Sequence, residues 1–119
     1  MTPIKPSVSV DYVENATIAT IGQEKILDEK DISELQDALM SLIEQAGHIN
    51  LILDFHNVEF LSSSVLGLLI RLSKKIYEQD GQLRLCNITA KIYEIFKITR
   101  LTKIFDIYND LDAALSGLV

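Results

Sequence analysis

The sequence predicts an α/β fold, an open mixed sheet that begins with an antiparallel hairpin and then alternates strand and helix. Three observations predict it. Ser7 to Val13 and Ala16 to Ile21 alternate apolar and polar residues on either side of Glu14-Asn15, the mark of two half-buried strands joined by a two-residue turn. Later stretches repeat apolar residues at helical spacing. Short apolar runs separate them, and the clearest, Ile49 to Asp54, is too short for a helix and apolar on both faces, so it reads as a central strand. Strands alternating with helices imply a sheet that is largely parallel after the hairpin.

The elements follow in order. Residues 1–6 hold both prolines of the chain and read as a flexible lead-in, with one domain over residues 7–119. In the hairpin, Val8, Val10 and Tyr12 share one side, and Ile18 with Ala16 and Thr20 share another. Gly22 to Lys30 is polar and irregular. Asp31 has the character of a helix cap, with Glu34 three positions on. Ile32, Leu35, Leu39, Leu42, Ile43 and Ala46 then recur at helical spacing, and Gly47 is a natural stop.

After the central strand come three consecutive serines, Ser62, Ser63 and Ser64, and a second helix from about Ser63 to Gln79. Val65, Leu68, Leu69, Leu72 and Ile76 form its apolar face. Gln82 to Asn87 reads as the next strand and Thr89 to Ile98 as a third helix. Ile104 to Tyr108 is a short strand, and a final helix capped by Asn109 or Asp110 runs through Leu115. The predicted order is ββαβαβαβα, with four helices.

Composition narrows the function classes. At 119 residues the chain has one domain's length and buries roughly two-thirds of its unfolded surface. A net charge of −6 is the wrong sign for a nucleic-acid backbone or for adsorption to an anionic membrane. Cys86 is the only cysteine, and His48, His56 and Cys86 do not have the spacing of a metal site. The expectation is a protein with no metal and no cofactor. With neither a secretory leader nor an apolar run of spanning length, the expected location is the cytoplasm.

Three blocks carry a family resemblance. They are Ile52-Leu53-Asp54-Phe55 with Val58-Glu59-Phe60-Leu61-Ser62-Ser63-Ser64, Gly81 to Ile88, and Phe96 to Phe105, with Asp112 to Leu115 as a tail. Together, in this order, they resemble the STAS domain family over about the full chain. Within it they look most like the bacterial anti-sigma factor antagonists. The resemblance implies a STAS-type sheet and a protein-interaction switch. A loop serine is phosphorylated by a partner that is both anti-sigma factor and serine kinase. The unphosphorylated form binds that partner and frees the sigma factor, and a PP2C-type phosphatase resets it.

Laid on this chain, the family motif puts the acceptor on Ser63, with Ser64 and Ser62 as lesser candidates. Asp28, Asp54, Glu59, Ser62, Ser64, Val65 and Gly67 become the expected partner contacts. Ser62 stands where the motif has aspartate, and Val65 and Arg100 stand where it has glycine. By pattern alone the serines are helix caps. The two readings are compatible, since one serine can cap while another is modified. Asp54 equally fits a carboxylate that satisfies loop amides, and Gly67 fits a close helix–sheet or partner contact.

Two other function classes stand beside the switch. One is a STAS module outside sigma regulation, a scaffold or a subunit that regulates a transporter. The other is an enzyme with a serine nucleophile. The chain lacks the G-x-S-x-G elbow and a glycine-rich phosphate loop, and His56 is the only candidate base near the serines in sequence. The expectation is therefore no enzymatic activity.

Overall fold

The computed structural model describes residues 3–5 and 8–118. In chain order the strands are β1 (Pro3–Lys5), β2 (Val8–Val13), β3 (Ala16–Ile21), β4 (Lys25–Ile26), β5 (Asn50–Asp54), β6 (Phe60–Leu61), β7 (Gln82–Cys86) and β8 (Asp106–Tyr108). The helices are α1 (Glu29–Ala46), α2 (Ser63–Glu78), α3 (Ala90–Ile98) and α4 (Leu111–Leu115), with a 3-10 turn at Leu101–Lys103. Six strands form one sheet in the order β1-β2-β3-β5-β7-β8. β1–β2 and β2–β3 pair antiparallel, and the remaining neighbours pair parallel. The α/β class, the hairpin and the parallel remainder agree with the sequence reading.

The middle of β5, Leu51 to Leu53, is apolar on both faces because both faces are covered. Leu51 and Leu53 of β5 join a large core with Leu35, Leu39 and Ile43 of α1 and Leu68, Leu69 and Leu72 of α2. Ile52 points the other way, into a smaller core with Ile18, Cys86 and Ala114 beneath α4. The side-chain period of two in a strand makes this division unavoidable. Arg84 shares that second face. Its guanidinium donates to the Ala114 and Ser116 carbonyls at 2.9 and 2.7 Å and lies 5.1 Å from the Tyr108 ring centroid. A cation at a helix C-terminus meets the negative end of the helix dipole, so Arg84 pins the short α4 to the sheet.

Several expectations change. Within residues 1–6, read as a flexible lead-in, Pro3–Lys5 pairs with β2 at the sheet edge, a position that tolerates proline's missing N–H. The rest of that lead-in lies outside the described residues. Tyr12 is 70% exposed, because it lies toward the hairpin's turn rather than over the core. The cap of α1 is Asp28, not Asp31. Asp28 has extended backbone angles, and its Oδ1 accepts the Asp31 N–H at 2.8 Å. The stretch Gly22 to Lys30, read as irregular, contains β4, which pairs in parallel with β6 as a separate two-stranded ribbon. Neither two-residue strand is long enough to show a period.

Gly81 explains the tight exit from α2. A side chain there would run into the Ile49 carbonyl oxygen, which already accepts the Gln82 N–H at 3.0 Å.

Candidate functional site

The serine run is delivered by a loop with little freedom. After β5, Phe55 and Val58 are fully buried, and the Val58 N–H donates to the Phe55 carbonyl at 2.8 Å. The Glu59 and Phe60 N–H groups donate to the Glu24 carbonyl at 2.8 and 3.1 Å, and the Ser62 N–H donates to the Ile26 carbonyl at 3.0 Å. Asn57 Nδ2 donates to the Ile21 carbonyl at 3.2 Å. Two apolar anchors and this set of bonds hold the segment just before Ser63. In the ribbon, Lys25 pairs with Phe60 and Ile26 with Leu61. The two strands leave the ribbon in the same direction, so α1 and α2 start side by side, behind Asp28 and Ser62.

The two helix starts differ chemically. α1 opens with a made cap and with Glu29 and Asp31 in its first turn. Partial burial, and then the charge of Asp28, push the Asp31 carboxyl above its usual range. α2 opens on Ser62 with extended backbone, no side-chain cap bond and no acidic residue in its first turn. The Ser62 Oγ is buried and has no hydrogen-bond partner among the described residues. The first N–H groups of any helix lack intrahelical acceptors, and the dipole makes that end positive. The start of α2 is therefore an open electropositive end, and Ser63 and Ser64 are exposed on it. Burying Val65, Leu66, Leu68, Leu69, Leu72 and Ile76 contributes on the order of 10 kcal/mol. That outweighs a missing cap, worth about 1 kcal/mol, so α2 tolerates an open start.

The structure separates the expected contact residues. Ser63, Ser64, Glu59 and Asp28 are exposed, and Gly67 is half-buried. Val65, expected at the partner surface, is fully buried, because its place in the first turn turns it toward the core. Asp54, also expected there, is buried as well. Its Oδ1 accepts the His56 N–H and the Asn87 Nδ2–H, each at 3.0 Å, and lies 3.0 Å from His56 Nδ1. Asp54 is thus the amide-satisfying carboxylate that ties the ends of β5 and β7 together. At Gly67 an added Cβ would meet only the Arg71 guanidinium, at 3.7 Å, so the expected close helix–sheet approach is absent there.

Sequence reading missed Asn87 and His56 as partners of Asp54. Asn87 has a positive φ of 59°, and an asparagine directly after a strand is the available signal, since it adopts that conformation readily. The carbonyls of Glu24 and Ile26 left no signal, because every residue carries one. Among the described residues, no helix is long and apolar enough to cross a membrane. None of their His, Cys, Asp and Glu side chains form a group of three or more that could hold a metal ion.

A family model for the STAS domain matches residues 8–114. The chain belongs to the STAS domain family. Among STAS relatives, the anti-sigma-B factor antagonist of Bacillus subtilis (strain 168) is 27% identical over 101 residues, which is 85% of this chain and 91% of that one. The anti-sigma-factor antagonist (STAS) domain protein of Planctomyces limnophilus superposes with a TM-score of 0.81 at 21% identity, over 93% of this chain and 97% of that one. The Bacillus cell fate determinant SpoIIAA in its phosphorylated form superposes with a TM-score of 0.67 at 15% identity, over 89% and 95% of the two chains. At these identities the two structures speak for the fold alone.

Proposed function

We propose that this chain is an anti-sigma factor antagonist, a cytoplasmic binding switch with no reaction of its own, controlled by phosphorylation of Ser63. The observation that carries the reading is the exposed Ser63 on the open N-terminus of α2, at the end of a loop held rigid on its other side. The relative of 85% coverage is named for the same role, and SpoIIAA, which shares the fold, has a phosphorylated form.

The switch follows from charge. A phosphoserine carries about −1.5 to −2 charge at neutral pH. The free N–H groups and dipole of α2 accommodate that charge, so the fold survives modification. A partner surface shaped for a neutral hydroxyl does not, because an unpaired, desolvated dianion is costly to bury. The exposed carboxylates of Asp28 and Glu59 add repulsion of the same sign. The unphosphorylated chain binds an anti-sigma factor with serine-kinase activity, and a PP2C-type phosphatase restores it. With Val65, Asp54 and the Ser62 hydroxyl internal, the proposed contact surface comprises Ser63, Ser64, Asp28, Glu59 and the half-buried Gly67.

The test is to incubate the chain with a purified anti-sigma factor of serine-kinase activity and ATP, and to record intact mass. The wild type gains one phosphate and the Ser63→Ala chain gains none. Undiminished labelling of Ser63→Ala would overturn Ser63 as the acceptor and move it to another serine, Ser64 or Ser62 first.

A further inference from the structure

We infer that α3 and the turn after it form a second docking surface, built for an acidic, apolar segment of a protein partner and separate from the Ser63 switch. The chain is acidic overall, with 17 acidic and 11 basic residues. Residues 91–103 reverse that sign, with Lys91, Lys97, Arg100 and Lys103 against Glu94 alone. All four cations are exposed; Lys97 lies 3.7 Å from Glu94 and Lys91 lies 4.4 Å from the Phe60 ring centroid, which leaves Arg100 and Lys103 as the cations most open to a ligand. Large apolar side chains are exposed among them: Ile98 at 77%, Ile104 at 53% and Tyr93 at 39%. Exposed isoleucines interleaved with cations match a ligand that has carboxylates and apolar side chains together.

Arg100 is the second, independent observation. Three non-glycine residues have positive φ among those described: Asp80, Asn87 and Arg100. Aspartate and asparagine enter this region readily. Arginine does not, and Arg100 at φ 62° and ψ 19° holds an unfavourable backbone. Glycine at this position would relieve the strain, and the guanidinium would be lost with it. Strain retained for one exposed cation, in the middle of the basic stretch, assigns that cation a task outside the fold. The reversed charge and the exposed isoleucines are met together by a protein segment that carries carboxylates beside apolar side chains.

The experiment uses the full chain, isotope-labelled for NMR. The probe is a synthetic amphipathic peptide of glutamate and leucine, and the control replaces its leucines with serine. The expected result is shifts confined to residues 91–104, weaker binding at high salt, and little response to the control. Arg100→Gly weakens the peptide by about threefold, the order of one exposed ion pair, yet raises the melting temperature by about 4 °C. This opposite movement excludes a merely structural role. A stabilised variant with unchanged peptide affinity overturns the inference. So do shifts elsewhere, equal binding of the serine control, preference for phosphatidylserine vesicles, or self-association on sedimentation. None of these readouts involves Ser63, so they leave the phosphorylation reading untouched.

Discussion

Removing the side chain at two helix starts is expected to have opposite consequences. At α1, Asp28 Oδ1 accepts the Asp31 N–H at 2.8 Å. Asp28→Ala discards a made cap and destabilises by about 1 kcal/mol, although it also relieves the push of Asp28 on the Asp31 carboxyl. At α2, the buried Ser62 Oγ bonds to nothing among the described residues. Ser62→Ala removes a dehydrated hydroxyl and gives up no bond, so the change lies between zero and about 1 kcal/mol of added stability. For a chain of 119 residues, 1 kcal/mol corresponds to about 4 °C in Tm. The assay is urea unfolding of the wild type and both variants, comparing midpoints at constant m. Asp28→Ala shifts the midpoint down, and Ser62→Ala leaves it unchanged or raises it. If Ser62→Ala costs as much as Asp28→Ala, the Ser62 hydroxyl is bonded in solution, and the open start of α2 on which the switch depends is refuted.

Further outcomes test other parts of the structure. Arg84→Leu removes two charge-assisted bonds to the end of α4; it is expected to cost about 2 kcal/mol, and hydrogen exchange should show residues 111–115 losing protection first. Gly81→Ala forces a side chain against the Ile49 carbonyl, with an expected cost of about 2–3 kcal/mol read from thermal unfolding. Burial, and then the charges of Asp54 and Asp110, push the Cys86 thiol from 9.0 up to about 12. The folded chain keeps a proton that the unfolded chain loses above pH 9, so this contribution is full below pH 9 and fades as pH rises toward 12. Chemical denaturation across that range checks the sign, and a thiol-specific disulfide reagent should label Cys86 only on unfolding.

Long, strongly patterned stretches were legible before any coordinates. The hairpin around Glu14-Asn15, the apolar strand ending at Asp54 and the helix beginning at Ser63 each carry enough periodic residues to name the element. The start of α1 was misread because Asp28 and Asp31 both have the chemistry of a cap, and only backbone geometry at Asp28 decides between them. The ribbon of β4 and β6 was illegible, since two residues hold no period and their pairing joins segments 35 positions apart.

The site divides in the same way. Residue type and order alone determined that a run of hydroxyls follows a buried strand and opens an amphipathic helix, because hydrophobic period and capping chemistry are local properties. Which of those residues face a partner was decided only by tertiary packing. Val65 turns inward because the sheet lies beneath the first turn of α2, and Asp54 is consumed by His56 and Asn87. The strain at Arg100 likewise belongs to the fold. A side chain's exposure and its partners depend on what distant segments bring to it, and no local pattern records that.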